Sequence, residues 1–98
     1  MANQYGNLGN LYLTRGDLKA AEEMYKKSLA INEELGRKEG MANDYGNLGI
    51  LYETCGDLKA AEEMYKKSLA IFTTFGNKDM IKKIKSLMEE LENLRKVK

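Results

Sequence analysis

Asparagine stands at positions 3, 7 and 10 of this 98-residue chain, and again at 43 and 47. An amide side chain carries both a donor and an acceptor. It is a mediocre helix former, because it competes for backbone hydrogen bonds. Its return at helical spacing therefore calls for a reason. At about 100° per residue, Asn3, Asn7, Asn10 and Thr14 fall nearly opposite Met1, Tyr5, Leu8 and Tyr12. Forty residues on, Asn43, Asn47, Ile50 and Thr54 hold the same places, flanked by Glu53. The chemistry of such a row is recognition of backbone. Its amides can pair with an extended peptide as a strand edge would, without reading side chains. Asn10 becomes Ile50 and Leu13 becomes Glu53, so the row turns from polar to mixed.

Other chemistry is poorly provided for. The chain has no histidine, the commonest general base and metal ligand. Its single cysteine, Cys55, aligns with Arg15 and has no intramolecular partner. The carboxylate pairs Glu22-Glu23 and Glu89-Glu90 fall on outer helix faces. Gly6-Asn7-Leu8-Gly9 lacks the preceding strand and the Gly-Lys-Ser/Thr ending of a phosphate loop. No nucleophile–base or metal constellation is present, so no catalytic residue, metal or cofactor is expected, and the chain reads as a non-enzyme. The net charge of +1 offers no field for nucleic acid or an acidic membrane. Lys82, Lys83, Lys85, Arg95, Lys96 and Lys98 read as a solvated face near a helix C-terminus. No apolar run approaches the ~20 residues of a membrane span. No signal peptide is visible, and a reducing cytoplasm is the expected compartment.

The elements that position the asparagines repeat. Residues 16–31 return unchanged as 56–71, and Tyr5-Gly6-Asn7-Leu8-Gly9 returns as Tyr45-Gly46-Asn47-Leu48-Gly49. A period of this length signals a helical array. Helices are expected over about 1–14, 18–34, 39–54 and 58–74. Gly16-Asp17 and Gly56-Asp57 form the turns, with each aspartate as an N-cap. Gly36 ends the second helix. Pairs Glu22–Lys26 and Glu23–Lys27 are in the favourable i,i+4 order. Asn32-Glu33-Glu34-Leu35 diverges to Phe72-Thr73-Thr74-Phe75, so the fourth helix should pack against something new. Residues 79–96 leave the repeat. Asp79 is the expected cap, and Met80, Ile81, Ile84, Leu87, Met88, Leu91 and Leu94 form one stripe. Ile84, Leu87, Met88 and Leu91 echo Tyr45, Leu48, Gly49 and Tyr52 one residue early, placing Met88 where a glycine stood.

Tyr5, Leu8, Gly9, Tyr12, Ala21 and Tyr25, with Ser28 after them, resemble the signature of the tetratricopeptide repeat. Tyr45, Leu48, Gly49, Tyr52, Ala61, Tyr65 and Ser68 resemble it again, in phase. The period of 40 is longer than the common ~34, and in this the chain is similar to the repeats of spindle-orientation adaptors and kinesin light chains, whose ligands are extended peptides. The resemblance implies an all-α solenoid of two antiparallel helix-turn-helix units and a C-terminal capping helix, five helices in all. It divides a single domain, 1–98, into repeats 1–40 and 41–79 and a cap over 80–98. Gly9 and Gly49 should admit close helix approach at Ala21 and Ala61. The first helix of each pair should line a concave groove, with Asn3, Asn7, Asn10, Thr14, Asn43, Asn47, Ile50, Glu53 and Thr54 facing it. Gly6 and Gly46 stand where a carboxylate-clamping lysine would be, so a chaperone-tail ligand is not expected.

Two readings follow. The first is a protein-interaction scaffold that binds an extended peptide in the groove. The second is a self-assembling or domain-swapped module. It rests on the uncapped face of the first helix, including Met1 and Tyr5, which another chain could cover to give a homo-oligomer. A designed sequence, or a fragment of a longer array, fits the near-identity of the copies.

Overall fold

The computed structural model of the protein describes residues 2–97 and the side chains of 4–96. Met1 and the side chain of Asn3 lie outside that range. Five helices follow one another: α1 (Ala2–Arg15), α2 (Leu18–Leu35), α3 (Lys38–Cys55), α4 (Leu58–Phe75) and α5 (Lys78–Val97). No strand occurs among the described residues. Each helix packs on the next, and α1 also touches α3, as in a stack of helical pairs.

All four connections are two residues long and begin with a left-handed glycine. Gly16, Gly36, Gly56 and Gly76 have φ of 82, 69, 87 and 68°. An L side chain disfavours that backbone, and glycine does not. At the first turn the Gly16 N–H donates to the Leu13 carbonyl and the Asp17 N–H to the Tyr12 carbonyl, closing the helix end. Asp17 and Asp57 then accept from the N–H of Ala20 and Ala60 at 3.3 and 3.2 Å, the capping bonds expected of them. At α5 the cap is Asn77, which accepts from the Met80 N–H at 3.2 Å. Asp79 was expected there, but it lies inside the first turn, where it complements the helix dipole.

Two apolar clusters make the core. Ala21 and Tyr25 of α2 enclose Leu48 and Leu51 of α3. Ala42, Ala61, Tyr65 and Phe72 enclose Ile84 and Leu91 of α5. The glycines work as expected, but against a different partner. A Cβ on Gly9 would stand 2.5 Å from the Tyr25 ring, and one on Gly49 would collide with the Tyr65 ring. The tyrosine, rather than Ala21 or Ala61, fills the space that each glycine leaves.

The register of α5 differs from the expected echo. It starts forty residues after α3, so Ile84 occupies the place of Asp44, Met88 that of Leu48 and Leu91 that of Leu51. Ile84 and Leu91 are buried. The residue in the place of Gly49 is therefore exposed Glu89 rather than Met88. No helix follows α5 among the described residues, so no glycine is required there.

Leu8 also departs from expectation. It is 40% exposed and Leu11 is 46% exposed, whereas their counterparts Leu48 and Leu51 are 2% and 1% exposed. The sequence alone puts Leu8 on a packed face. Among the described residues no helix covers it as α2 covers Leu48.

Candidate functional site

The inner faces of α1 and α3, with α5 as the far wall, enclose a half-open groove of about 240 Å³. Asn7, Asn10, Asn43, Asn47 and Ile50 line it, together with Gly6 and Gly46. Five of the nine residues expected to face a ligand are thus brought together. Asn7, Asn10 and Asn43 are exposed, and Asn47 and Ile50 are half-buried. The lining does not include Thr14, Thr54 or Glu53. The two threonines donate back to their own helix, to the carbonyls of Asn10 and Ile50, both at 2.9 Å.

Glu53 has a structural engagement instead. Tyr65 is fully buried, and its hydroxyl donates to Glu53 Oε1 at 2.8 Å. In the first repeat the Tyr25 hydroxyl donates to Asn10 Oδ1 at 2.5 Å. The changes Asn10 to Ile50 and Leu13 to Glu53 are therefore coupled. When the acceptor at one position is lost, a carboxylate one helical turn on replaces it. Burial, then the bond to Glu53, raises the Tyr65 hydroxyl well above the ordinary phenol range. Tyr52, which donates to Glu22 of α2 at 2.7 Å, is likewise pushed up to about 12, first by burial and then by Glu22.

The floor holds residues that sequence reasoning missed. Asp44 is 3% exposed. It accepts from Ser28 Oγ at 2.8 Å and from Asn32 Nδ2 at 2.7 Å. Burial raises its pKa, and those two hydrogen bonds oppose the rise without cancelling it. Gly40 makes room for this network: a Cβ there would stand 2.7 Å from the Asn32 side chain. One period later the same three places hold Phe72, Met80 and Ile84, and the network becomes hydrocarbon. Ser68, deprived of a carboxylate, donates to the Ala42 carbonyl at 2.8 Å. The polar end of the groove thus sits between α2 and α3. The apolar end, with Met80, Ile84 and Leu87 and with Lys83 at its rim, sits against α5. The signal was present in the sequence. Asn32, Gly40 and Asp44 all change when read against their counterparts forty residues on, and a buried trio changes together.

The outer surface is less paired than the spacing suggests. Glu22 meets Lys26 at 3.4 Å as expected. Lys27, however, lies over the Tyr5 ring, 5.7 Å from its centre, rather than on Glu23, and Lys67 lies over Tyr45 in the same way. Glu62 pairs with Arg95 of α5 at 3.0 Å. Cys55 is exposed. No group of three or more potential ligands that could hold a metal ion occurs among the described residues. No described helix is long and apolar enough to cross a membrane.

No curated protein matches the chain significantly. A family model described as tetratricopeptide repeat matches residues 1–74. That span takes in both copies of the glycine–tyrosine contact and three of the four glycine turns. Repeats of this kind mediate protein–protein interaction in general. The matched span, the paired helices and the tyrosine-filled glycine contacts agree, and the chain belongs to the tetratricopeptide repeat family.

Proposed function

We propose that this chain is a non-catalytic scaffold whose ligand, an extended segment of another protein, lies in the groove along Asn7, Asn43 and Asn47. The observation that carries the reading is how the asparagines are used. Asn10 and Asn32 are occupied in holding Tyr25 and Asp44. Among the described residues, no hydrogen bond engages the side chains of Asn7, Asn43 or Asn47, yet all three line the groove. Their amides retain full capacity for a peptide backbone. Gly6 lets that backbone come close, since the nearest atom to a Cβ there is Ser28 Oγ at 4.0 Å. The apolar end beside Ile50, Met80 and Leu87 supplies a seat for one bulky side chain of the ligand. The long period supports the resemblance to repeats that take extended peptides.

A groove this short gives weak binding, on the order of micromolar. Screening a displayed library of extended peptides and measuring the selected sequence by fluorescence anisotropy tests the proposal. Asn7→Ala and Asn47→Ala should each weaken that peptide about tenfold, the loss of one or two hydrogen bonds, with helix content unchanged. Unaltered affinity in the double variant would remove the groove assignment.

A further inference from the structure

We infer that the open face of α1 is a docking site for α4 of a second copy of this chain, and that α5 is the displaceable cover of that α4 surface. The argument begins with an interface the molecule already contains. α3 packs on α2 by burying Leu48 and Leu51 against Ala21 and Tyr25, and the Tyr52 hydroxyl donates to Glu22 across the same contact. α1 carries the same three residue types at the same spacing, Leu8, Leu11 and Tyr12. The two leucines are 40% and 46% exposed. α1 thus presents one half of an interface whose other half is known.

That other half also exists a second time. α4 repeats α2 without change over residues 58–71, so Ala61, Tyr65 and Glu62 reproduce Ala21, Tyr25 and Glu22. In the folded chain α5 covers this surface. It does so with different chemistry: Leu91 is buried there, and Arg95 holds Glu62 at 3.0 Å. Exchange replaces Arg95–Glu62 by Tyr12–Glu62 and the α5 side chains by Leu8 and Leu11. Gln4 stands where Asp44 does in α3. It therefore brings no buried carboxylate against Phe72, which makes α1 better suited to α4 than α3 itself would be. The contact joins two different surfaces, so it is heterologous, and repeated it produces open chains rather than closed dimers. Intramolecular α5 competes at high effective concentration, so assembly is expected only in concentrated solution.

Sedimentation of the full chain over a wide concentration range tests this. The expected result is a mass that rises continuously without stopping at a dimer. Leu8→Lys with Leu11→Lys should remain monomeric alone, and circular dichroism should show an intact fold because both positions are already exposed. Added to the wild type, that variant should shorten the assemblies, because its α4 still accepts one partner. Arg95→Glu, which sets α5 against Glu62, should lower the onset concentration several-fold. A wild type and Arg95→Glu variant that both stay monomeric at millimolar concentration would overturn the proposal. So would a saturating dimer on which the lysine variant has no effect, which would point to a contact that does not use the Leu8–Leu11 face of α1.

Discussion

At the scale of single residues, the glycines separate two uses of an absent side chain. Gly49 is a contact: the Tyr65 ring occupies the space a Cβ would need, and that ring is fully buried. At Gly6 a Cβ would meet only Ser28 Oγ, at an unstrained 4.0 Å. Alanine at the two sites should therefore have opposite effects. Gly6→Ala gains roughly 0.5–1 kcal/mol from reduced backbone entropy. Gly49→Ala meets an overpacking cost of about 1–3 kcal/mol that outweighs the same gain. Urea unfolding of the two variants measures both signs. Asp44 supplies a second residue-level prediction. Burial raises its pKa in the folded chain, so the folded protein holds this proton at a pH where the unfolded chain has released it. Relative to Asp44→Asn, the wild type should gain stability as pH falls through the raised value. The gain should be complete below the ordinary carboxylate value of 3.8 and absent once pH exceeds the raised value. An aspartate stabilised by an ion pair would show the opposite trend. Unfolding of both proteins across that acid range decides between them.

At the scale of the element, the two copies solve one problem in two ways. The buried Tyr25 hydroxyl rests on Asn10, and the buried Tyr65 hydroxyl rests on Glu53. Glu53→Leu alone should cost roughly 1–3 kcal/mol, because it leaves that hydroxyl without an acceptor. Adding Ile50→Asn should recover much of the loss. A double-mutant cycle on chemical unfolding should return a favourable coupling of about 0.5–3 kcal/mol. The coupling also marks where sequence reading stops. Helix limits, glycine turns and the placing of Asn7, Asn10, Asn43, Asn47 and Ile50 on one wall were legible, because they follow from period and local backbone chemistry. The acceptor role of Glu53, the burial of Asp44 and the register of α5 were not. Each depends on which helix lies across the gap, and no single-helix periodicity contains that information. Leu8 shows the limit most plainly: it shares the residue type and spacing of Leu48, and only the neighbour differs.

At the scale of the whole molecule, the stack is asymmetric at its two ends. α5 seals one end with Ile84 and Leu91. α1 leaves Leu8 and Leu11 uncovered at the other. The groove lies between, and its chemistry grades from the Asp44 network to the hydrocarbon beside α5. If an extended segment crosses it as proposed, that segment meets different surroundings at each end, so the wall rather than the repeated asparagines would determine the direction in which it lies.

The trio Asn32, Gly40 and Asp44 against Phe72, Met80 and Ile84 also bears on how such a gene can lengthen. Near-identical stretches invite unequal recombination, which adds or removes one whole period at a time. The outcome depends on where the crossover falls. Inserting an extra copy of residues 16–55 after residue 55 leaves every Asn32 facing a Gly40 and an Asp44, so each new junction is one the protein already makes. Inserting an extra copy of 41–80 after residue 80 instead sets Phe72 against Asp44 and strands a carboxylate away from the Asn32 amide that now holds it. The first product should unfold at higher urea concentration than the parent, and the second should be destabilised by roughly 1–3 kcal/mol at that junction relative to the first. The side chains of Asn32, Asp44 and Phe72 thus decide which lengthened descendants of this gene would be the more stable.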